Sequence, residues 1–246
     1  MLTEQLLDEL RQQGELLVTS ASRAGLQQPV PSCPGWTVAR ALGHTARVYR
    51  WAAWIVRGGD SAAFSYDRPK DEDLEADFRA GLADVLQALR KAPDNLQVHT
   101  LFPAPSAKVF WARRQAHETA IHRVDVELAA GYGVTEFDVE FAADGIDELL
   151  TGMLGGAFSD AGVTAPRTVS ITPLDINQAW TVRIAPGSVA SRAGADDGAD
   201  LSVFGMASEL YQWVWNRLPD HEVSLRGDLT LADLWHQNFR VGARPA

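Results

Sequence analysis

Four stretches in the first half of the chain carry apolar residues at helical spacing, and glycine or proline follows each one. The first is the leucine-rich N-terminus, which ends before the turn-rich segment 27–35. The other three span residues 38–57, 71–91 and 108–130. Caps are predicted at Thr37 and Ser106, and helix stops at Gly58 and Gly131. Four helices of this length predict an antiparallel bundle, whose core can hold a site built from facing side chains.

In the second half of the chain, apolar residues at helical spacing give way to short runs in which apolar and polar residues alternate. A helix over residues 137–154 leads into a small-residue segment, 155–165, whose composition is typical of a linker. The segment 185–199 is rich in glycine, serine and alanine and predicts a loop. Strands are predicted over 168–172, 180–184, 201–204 and 223–225, and helices over 207–217 and from residue 229 onward. The chain is therefore predicted to be a helical domain over residues 1–157 followed by a small α+β domain over residues 158–246.

The charge and cysteine content exclude several classes of function. The 246 residues carry 22 basic and 32 acidic side chains, a net charge of -10, with no basic stripe to overcome repulsion from nucleic acid. The lone Cys33 excludes an intrachain disulfide and is predicted to be a buried packing thiol. The N-terminus lacks the apolar core of a signal peptide, and no run approaches the roughly 18 apolar residues of a membrane span. These features predict a cytoplasmic protein, monomer or homodimer, with neither nucleic acid nor membrane as a partner.

The fourth predicted helix contains the most informative polar residues. His117 and His122 are five residues apart, so they lie roughly 140° apart around a regular helix and cannot share one metal ion. Glu118 and His122 are four apart and lie on one face. A carboxylate and an imidazole placed in this way are suitable ligands for a divalent metal such as zinc. His44, in the middle of the second helix, is the best candidate for a third ligand.

A set of His44, Glu118 and His122 would leave one position of a tetrahedral ion open, which is the arrangement of a catalytic zinc site. The same spacing also fits a simple helix-stabilising pair of Glu118 and His122. Asp125 and Arg114 lie within one turn of that pair and are candidates to orient a ligand. The residues alone leave the choice between a metal centre and a structural pair open.

Two motifs give the chain a family resemblance that extends over nearly its whole length. One is Pro-Ser-Cys-Pro-Gly-Trp-Thr-Val at residues 31–38, followed by Leu-Gly-His at 42–44. The other is the Arg-x-x-His-Glu-x-x-x-His-Arg-x-Asp pattern of residues 114–125. They resemble the mycothiol-dependent maleylpyruvate isomerase family. The segments 205–217 and 227–228 resemble the C-terminal domain of that family.

The resemblance implies a fold and a chemistry. The fold class is α + α/β, a DinB-like metal-binding four-helix bundle followed by a small C-terminal α+β domain. The zinc ligands of the family, one histidine of the second helix and a Glu-x-x-x-His pair of the fourth, fall on His44, Glu118 and His122. Mycothiol is implied as cosubstrate, held at the metal as a thiolate that adds to a small electrophile. Arg217 resembles an arginine that helps to bind an acidic substrate, and a cation at a surface helix C-terminus is the alternative.

The predicted function is accordingly a zinc-dependent enzyme that uses mycothiol or a similar thiol to isomerise or S-conjugate a small electrophilic substrate. Two alternatives stay open. In one, the bundle holds a metal or a bare pocket for binding only, as a ligand sensor or a stress-associated accessory protein. In the other, the bundle is purely structural and has no particular affinity for zinc.

Overall fold

The four helices predicted for the first half of the chain are confirmed. In the computed structural model, which describes residues 1–154 and 162–238, they are α1 (Thr3–Ala24), α2 (Val38–Val56), α3 (Leu74–Lys91) and α4 (Ala107–Ala130). The hydroxyl oxygens of Thr37 and Ser106 accept hydrogen bonds from backbone N–H groups in the first turns of α2 and α4. Gly131 follows α4 with a φ of 73°, a left-handed value that glycine adopts without strain. Local sequence therefore sets where these two helices begin and where α4 ends.

The helices pack into a bundle in which each has two main neighbours. Helix α1 lies against α4 and α3, and α2 lies against α3 and α4. The connection between α2 and α3 contains two short 3-10 helices, Ser61–Ala63 and Asp71–Asp73. Gly81 of α3 permits a close approach to α2, because a Cβ atom there would lie 3.3 Å from the carbonyl oxygen of Ala46. The bundle thus places α2 and α4 side by side, which is the contact that matters for the site.

Helix α4 differs from its neighbours because it is buried on almost every side. Its buried residues include charged and polar side chains, namely Arg114, Gln115, His117, Thr119, His122, Arg123, Asp125 and Glu127. Burying such groups costs free energy unless they are paired or hydrogen-bonded. The polar interior of the bundle is therefore where a functional site is expected.

A buried ion pair fixes the chain that follows α4. The guanidinium of Arg123 donates to a carboxylate oxygen of Glu127 at 2.6 Å and to the carbonyl oxygen of Thr135 at 2.7 Å. Glu127 in turn accepts from the backbone N–H and the hydroxyl of Thr135, at 3.0 and 2.8 Å. The side chain of Arg123 is fully buried and that of Glu127 nearly so. The pair ties the segment after Gly131 back onto α4.

The second half forms the predicted small α+β domain. Helix α5 (Val139–Asp147) continues into a π-helical turn (Glu148–Met153). The later elements are β1 (Arg167–Pro173), β2 (Trp180–Ala185), β3 (Ser188–Ala193), β4 (Leu201–Gly205), α6 (Ala207–Val214), β5 (Ser224–Gly227) and α7 (Thr230–Asn238). The strand order is β3-β2-β1-β4-β5, with β1 and β4 parallel and the other neighbours antiparallel.

The loop predicted over residues 185–199 is wrong in part, because it contains β3. This strand pairs with β2 through a tight turn at Pro186 and Gly187, and Gly187 has a φ of 72°. It lies at the edge of the sheet, and among its residues only Val189 is buried. An edge strand of small and polar residues lacks the alternating apolar pattern by which strands are recognised.

The structure divides into two compact units, Met1–Thr135 and Glu136–Ala246, whereas the sequence places the boundary between residues 157 and 158. The difference arises from α5, which packs against α6, and from its π-helical extension, which packs against β3. The predicted linker 155–165 lies largely outside the described residues. No helix among residues 1–154 and 162–238 combines the length and the apolar character needed to cross a membrane.

Candidate metal centre

Helices α2 and α4 bring His44, Glu118 and His122 together. The Nε2 atom of His44 lies 3.0 Å from Oε1 of Glu118, and Nε2 of His122 lies 3.3 Å from the same oxygen. One ligand atom from each residue lies within 4.8 Å of the other two. Two ligands of one tetrahedral zinc ion, each at about 2.0 to 2.1 Å, would be about 3.3 Å apart. The spacing therefore suits one small divalent ion, and two imidazoles with one carboxylate are ligands that zinc takes.

The three side chains reach this arrangement by different routes. Glu118 and His122 meet because α4 places residues four apart on the same face. His44 comes from the middle of α2 and meets them because α2 packs against α4. The side chain of His44 is 35% exposed and that of Glu118 is 23% exposed, whereas that of His122 is 8% exposed. The accessible side of the group is therefore the side of His44 and Glu118.

Asp125 sets the orientation of the His122 ring. Its Oδ2 atom lies 2.9 Å from Nδ1 of His122, and its side chain is buried. An ionised carboxylate only accepts hydrogen bonds, so Nδ1 carries the hydrogen while Nε2 faces Glu118. Metal-ligating histidines usually have such a carboxylate behind them, which fixes the tautomer and makes the imidazole a better donor to the metal.

The charges around Glu118 and His122 favour their ionised forms. Burial acts to raise the pKa of Glu118, but hydrogen bonds with His122 and His44 and the charge of Arg114 hold it well below its ordinary value. The Arg114 guanidinium lies 3.4 Å from the second carboxylate oxygen of Glu118. Burial acts to lower the pKa of His122, but hydrogen bonds with Asp125 and Glu118 raise it to about 9. A metal ion that binds here would take the place of the proton on Nε2 of His122, whereas the hydrogen on Nδ1 stays with Asp125.

The loop before α2 places an aromatic ring against the two histidines. Trp36 stacks on His122 with ring centroids 5.7 Å apart and an interplanar angle of 15°. The centroid of the Trp36 ring lies 5.1 Å from that of His44. The turn-rich sequence around Trp36 does not indicate which helix its ring will meet. Its position makes it a wall of the candidate site.

Two further residues of the same loop hold Asp125. The hydroxyl of Ser32 donates to Oδ1 of Asp125 at 2.5 Å, and the thiol of Cys33 lies 3.5 Å from Oδ2. Cys33 is buried, as predicted. Two residues of the motif at 31–38 therefore contact the carboxylate that orients His122.

His117 and Arg217 lie outside the group. His117 is fully buried in α4 and, among the described residues, is not part of the cluster that could hold a metal. Arg217 belongs to the second unit, where its guanidinium donates to the carbonyl oxygen of Trp215 at 2.6 Å. Its predicted catalytic role stays a prediction.

Comparison with known proteins gives two matching family models and two solved structures of similar architecture. The model of the mycothiol maleylpyruvate isomerase N-terminal domain matches residues 7–127, and the model of the corresponding C-terminal domain matches residues 140–234. The chain belongs to this family. Two crystal structures of the mycothiol-dependent maleylpyruvate isomerase, one of them of a mutant, match with TM-scores of 0.62 and 0.61 at 12% and 13% sequence identity. Each match covers 92% of this chain and 93% of the other chain.

The family models confirm the resemblance read from the motifs, and the solved structures confirm the fold. No curated protein matches the chain at a significant level. At identities this low, likeness to a mycothiol-dependent maleylpyruvate isomerase shows the architecture and not the reaction.

For this member of the family, we expect Asp125→Asn to weaken zinc binding by about 10- to 100-fold, the usual cost of removing such a partner of a metal ligand. An amide still accepts a hydrogen bond, but it lacks the negative charge that strengthens the imidazole. Competition with a chromophoric chelator measures the affinity. Asp77→Asn is the matched control, because Asp77 is also a hydrogen-bonded carboxylate of the bundle and contacts Arg50 rather than a candidate ligand. Equal affinities in wild type and Asp125→Asn would contradict the assignment.

Proposed function

We propose that this protein is a zinc-dependent enzyme that uses mycothiol or a similar low-molecular-weight thiol to isomerise or S-conjugate a small electrophilic substrate. The observation that carries the proposal is the convergence of His44, Glu118 and His122 in a member of this family. The names of the two solved relatives, both mycothiol-dependent maleylpyruvate isomerase, support a thiol as cosubstrate.

The residues around the site support a catalytic rather than a purely structural metal. Three protein ligands leave one position of a tetrahedral ion for an external molecule, whereas structural zinc sites use four. Exposure on the side of His44 and Glu118 gives a small molecule access. When bound, the metal would supply positive charge that lowers the pKa of a coordinated thiol and so favours the thiolate at neutral pH.

The chain itself has three tasks in this proposal. His44, Glu118 and His122 hold the metal, and Asp125 keeps Nδ1 of His122 protonated so that Nε2 faces inward. Trp36 covers one face of His122 with an apolar ring. We further propose, from the family resemblance, that Arg217 helps to bind an acidic substrate.

The test is a thiol-consumption assay on the full chain. Protein loaded with zinc is incubated with mycothiol and a panel of small electrophiles that includes cis-alkenes conjugated to a carbonyl group. We expect a product, either a trans isomer or an S-conjugate, that forms with the zinc-loaded protein and not with the metal-free protein. Zinc binding without any product or thiol consumption across the panel would contradict catalysis and favour a binding protein.

A further inference from the structure

Gln115 of α4 is a buried amide whose two polar atoms are both unpaired. The residue is 1% exposed, and neither Oε1 nor Nε2 has a hydrogen-bond partner among residues 1–154 and 162–238. Buried polar groups are normally hydrogen-bonded, because leaving one unpaired costs free energy. Gln13 and Gln212 are the other buried glutamines of the described ranges, and the Nε2 atom of each donates a hydrogen bond. Gln115 therefore stands out as an amide that the described part of the fold leaves without a partner.

The position of Gln115 on α4 directs it toward α2. Trp111, four residues earlier, packs its ring against that of Trp51 of α2, with centroids 5.2 Å apart. Thr119, four residues later, shares a hydrogen bond of 2.8 Å with the hydroxyl of Tyr49 of α2. Residues four apart lie on the same face of a helix. Gln115 lies midway between two residues that contact α2, so it faces α2 as well.

The amide is also next to the candidate metal centre on this face of α4. Glu118 follows three residues later, about 4.5 Å further along the helix axis, and meets His44 of α2. Its side chain is 23% exposed, which marks where a small molecule can approach the group. From Glu118 toward the start of α4, Gln115 is the next polar side chain on this face before the ring of Trp111. A molecule that binds at the metal and extends in this direction meets the amide of Gln115.

We infer that Gln115 hydrogen-bonds an amide group of the thiol cosubstrate, and hence that the site selects thiols that carry an amide close to the sulfur. The inference rests on the proposed function, because it assigns a chemical class to the cosubstrate of the same site. The side chain of Gln115 offers one acceptor, Oε1, and the N–H donors of Nε2. A carboxylate can use only the donors and an ammonium only the acceptor, whereas an amide supplies both kinds of partner. An amide also brings no charge into a position beside the rings of Trp111 and Trp51.

The experiment compares two small neutral thiols of nearly the same shape, 3-mercapto-N-methylpropanamide and methyl 3-mercaptopropanoate. The ester has an oxygen where the amide has its N–H. Isothermal titration of the zinc-loaded full chain gives a dissociation constant for each thiol. We expect the wild type to bind the amide at least about fivefold more tightly than the ester, as one hydrogen bond implies. Gln115→Met should remove this preference, because it keeps the length of the side chain and deletes both polar atoms.

Two further variants and a stability measurement separate recognition of the thiol from a role in the fold. Gln13→Met is the matched control, because Gln13 is also a buried glutamine of the bundle but lies on α1, and it should keep the preference. Gln115→Leu is a second apolar replacement of different shape and should lose the preference as Gln115→Met does. Without thiol, Gln115→Met should have a higher unfolding temperature than the wild type, since it removes two unpaired polar atoms from the interior. A lower unfolding temperature would contradict an amide kept free for a ligand.

The outcomes distinguish failure of this inference from failure of the proposed function. If the wild type binds both thiols equally, or if the Gln115 variants keep the preference for the amide, the assignment to Gln115 is wrong even when thiol chemistry is observed. If the preference depends on Gln115 but no electrophile consumes thiol, recognition of the amide stands and the proposed enzyme activity fails. If zinc-loaded protein binds neither thiol, both the inference and the proposed role of a thiol are contradicted.

Discussion

Replacement of His44 or His122 by alanine is expected to abolish stoichiometric zinc binding and to reduce thiol-dependent turnover by at least about a thousandfold. Each substitution removes one of three protein ligands, and two ligands do not hold zinc in competition with buffer and water. The charge stabilisation that a metal supplies is worth several kcal/mol. Since about 1.4 kcal/mol corresponds to a factor of ten, its loss gives a change of about this size. Zinc content by elemental analysis and rate by product formation are the two readouts.

The controls for this prediction come from the other histidines. His99 and His221 are exposed residues outside the group, so His99→Ala and His221→Ala should retain zinc at the wild-type stoichiometry. Glu118→Gln tests the third ligand with little change of shape and should lose zinc as the histidine variants do. Retention of one zinc per chain in all three ligand variants would mean that the metal, if any, is bound elsewhere.

The free energy of unfolding is expected to fall by about 3 to 5 kcal/mol in Glu127→Gln, the usual cost of breaking a buried ion pair by removing one partner. The substitution keeps the shape of the side chain but removes the carboxylate charge that lies 2.6 Å from the buried guanidinium of Arg123. It also weakens the two hydrogen bonds that Thr135 donates to the carboxylate. Urea unfolding followed by far-UV circular dichroism measures the change.

A surface pair with the same helical spacing is the matched control. Glu75 and Arg79 of α3 are also four residues apart, with side chains that are 53% and 45% exposed. Glu75→Gln should change the free energy of unfolding by less than about 1 kcal/mol, because exposed ion pairs contribute little. Similar losses of unfolding free energy in both variants would mean that the buried pair of Arg123 and Glu127 stabilises the bundle no more than an exposed pair does.

The parts of the structure that the sequence predicts are those governed by short-range geometry. Helix starts at Thr37 and Ser106 follow from side chains that accept hydrogen bonds from the first turn. Glu118 and His122 follow from the period of the helix. His44 is harder to predict, because its distance from Glu118 depends on how α2 packs against α4. Its position in the middle of α2 and the family resemblance both indicate it.

The features that the sequence does not predict depend on contacts between distant segments. The position of Trp36 against the histidines and the bond from Ser32 to Asp125 join the loop before α2 to α4. No periodicity along the chain encodes such contacts. The sequence does not predict strand β3, because an edge strand needs few apolar residues and this one is defined by its pairing with β2. The grouping of α5 with the second unit likewise follows from its packing against α6.

The central claim is that His44, Glu118 and His122 hold one divalent metal ion with a position left for an external thiol. Cobalt(II) replaces zinc in such sites and makes the coordination visible, so the most direct measurement is a titration of the cobalt-loaded protein with mycothiol, followed by absorption spectroscopy. We predict a tetrahedral cobalt spectrum before the addition and a new sulfur-to-cobalt charge-transfer band that saturates at one thiol per chain. An unchanged spectrum on addition of the thiol, or the same band in His122→Ala, would contradict the claim.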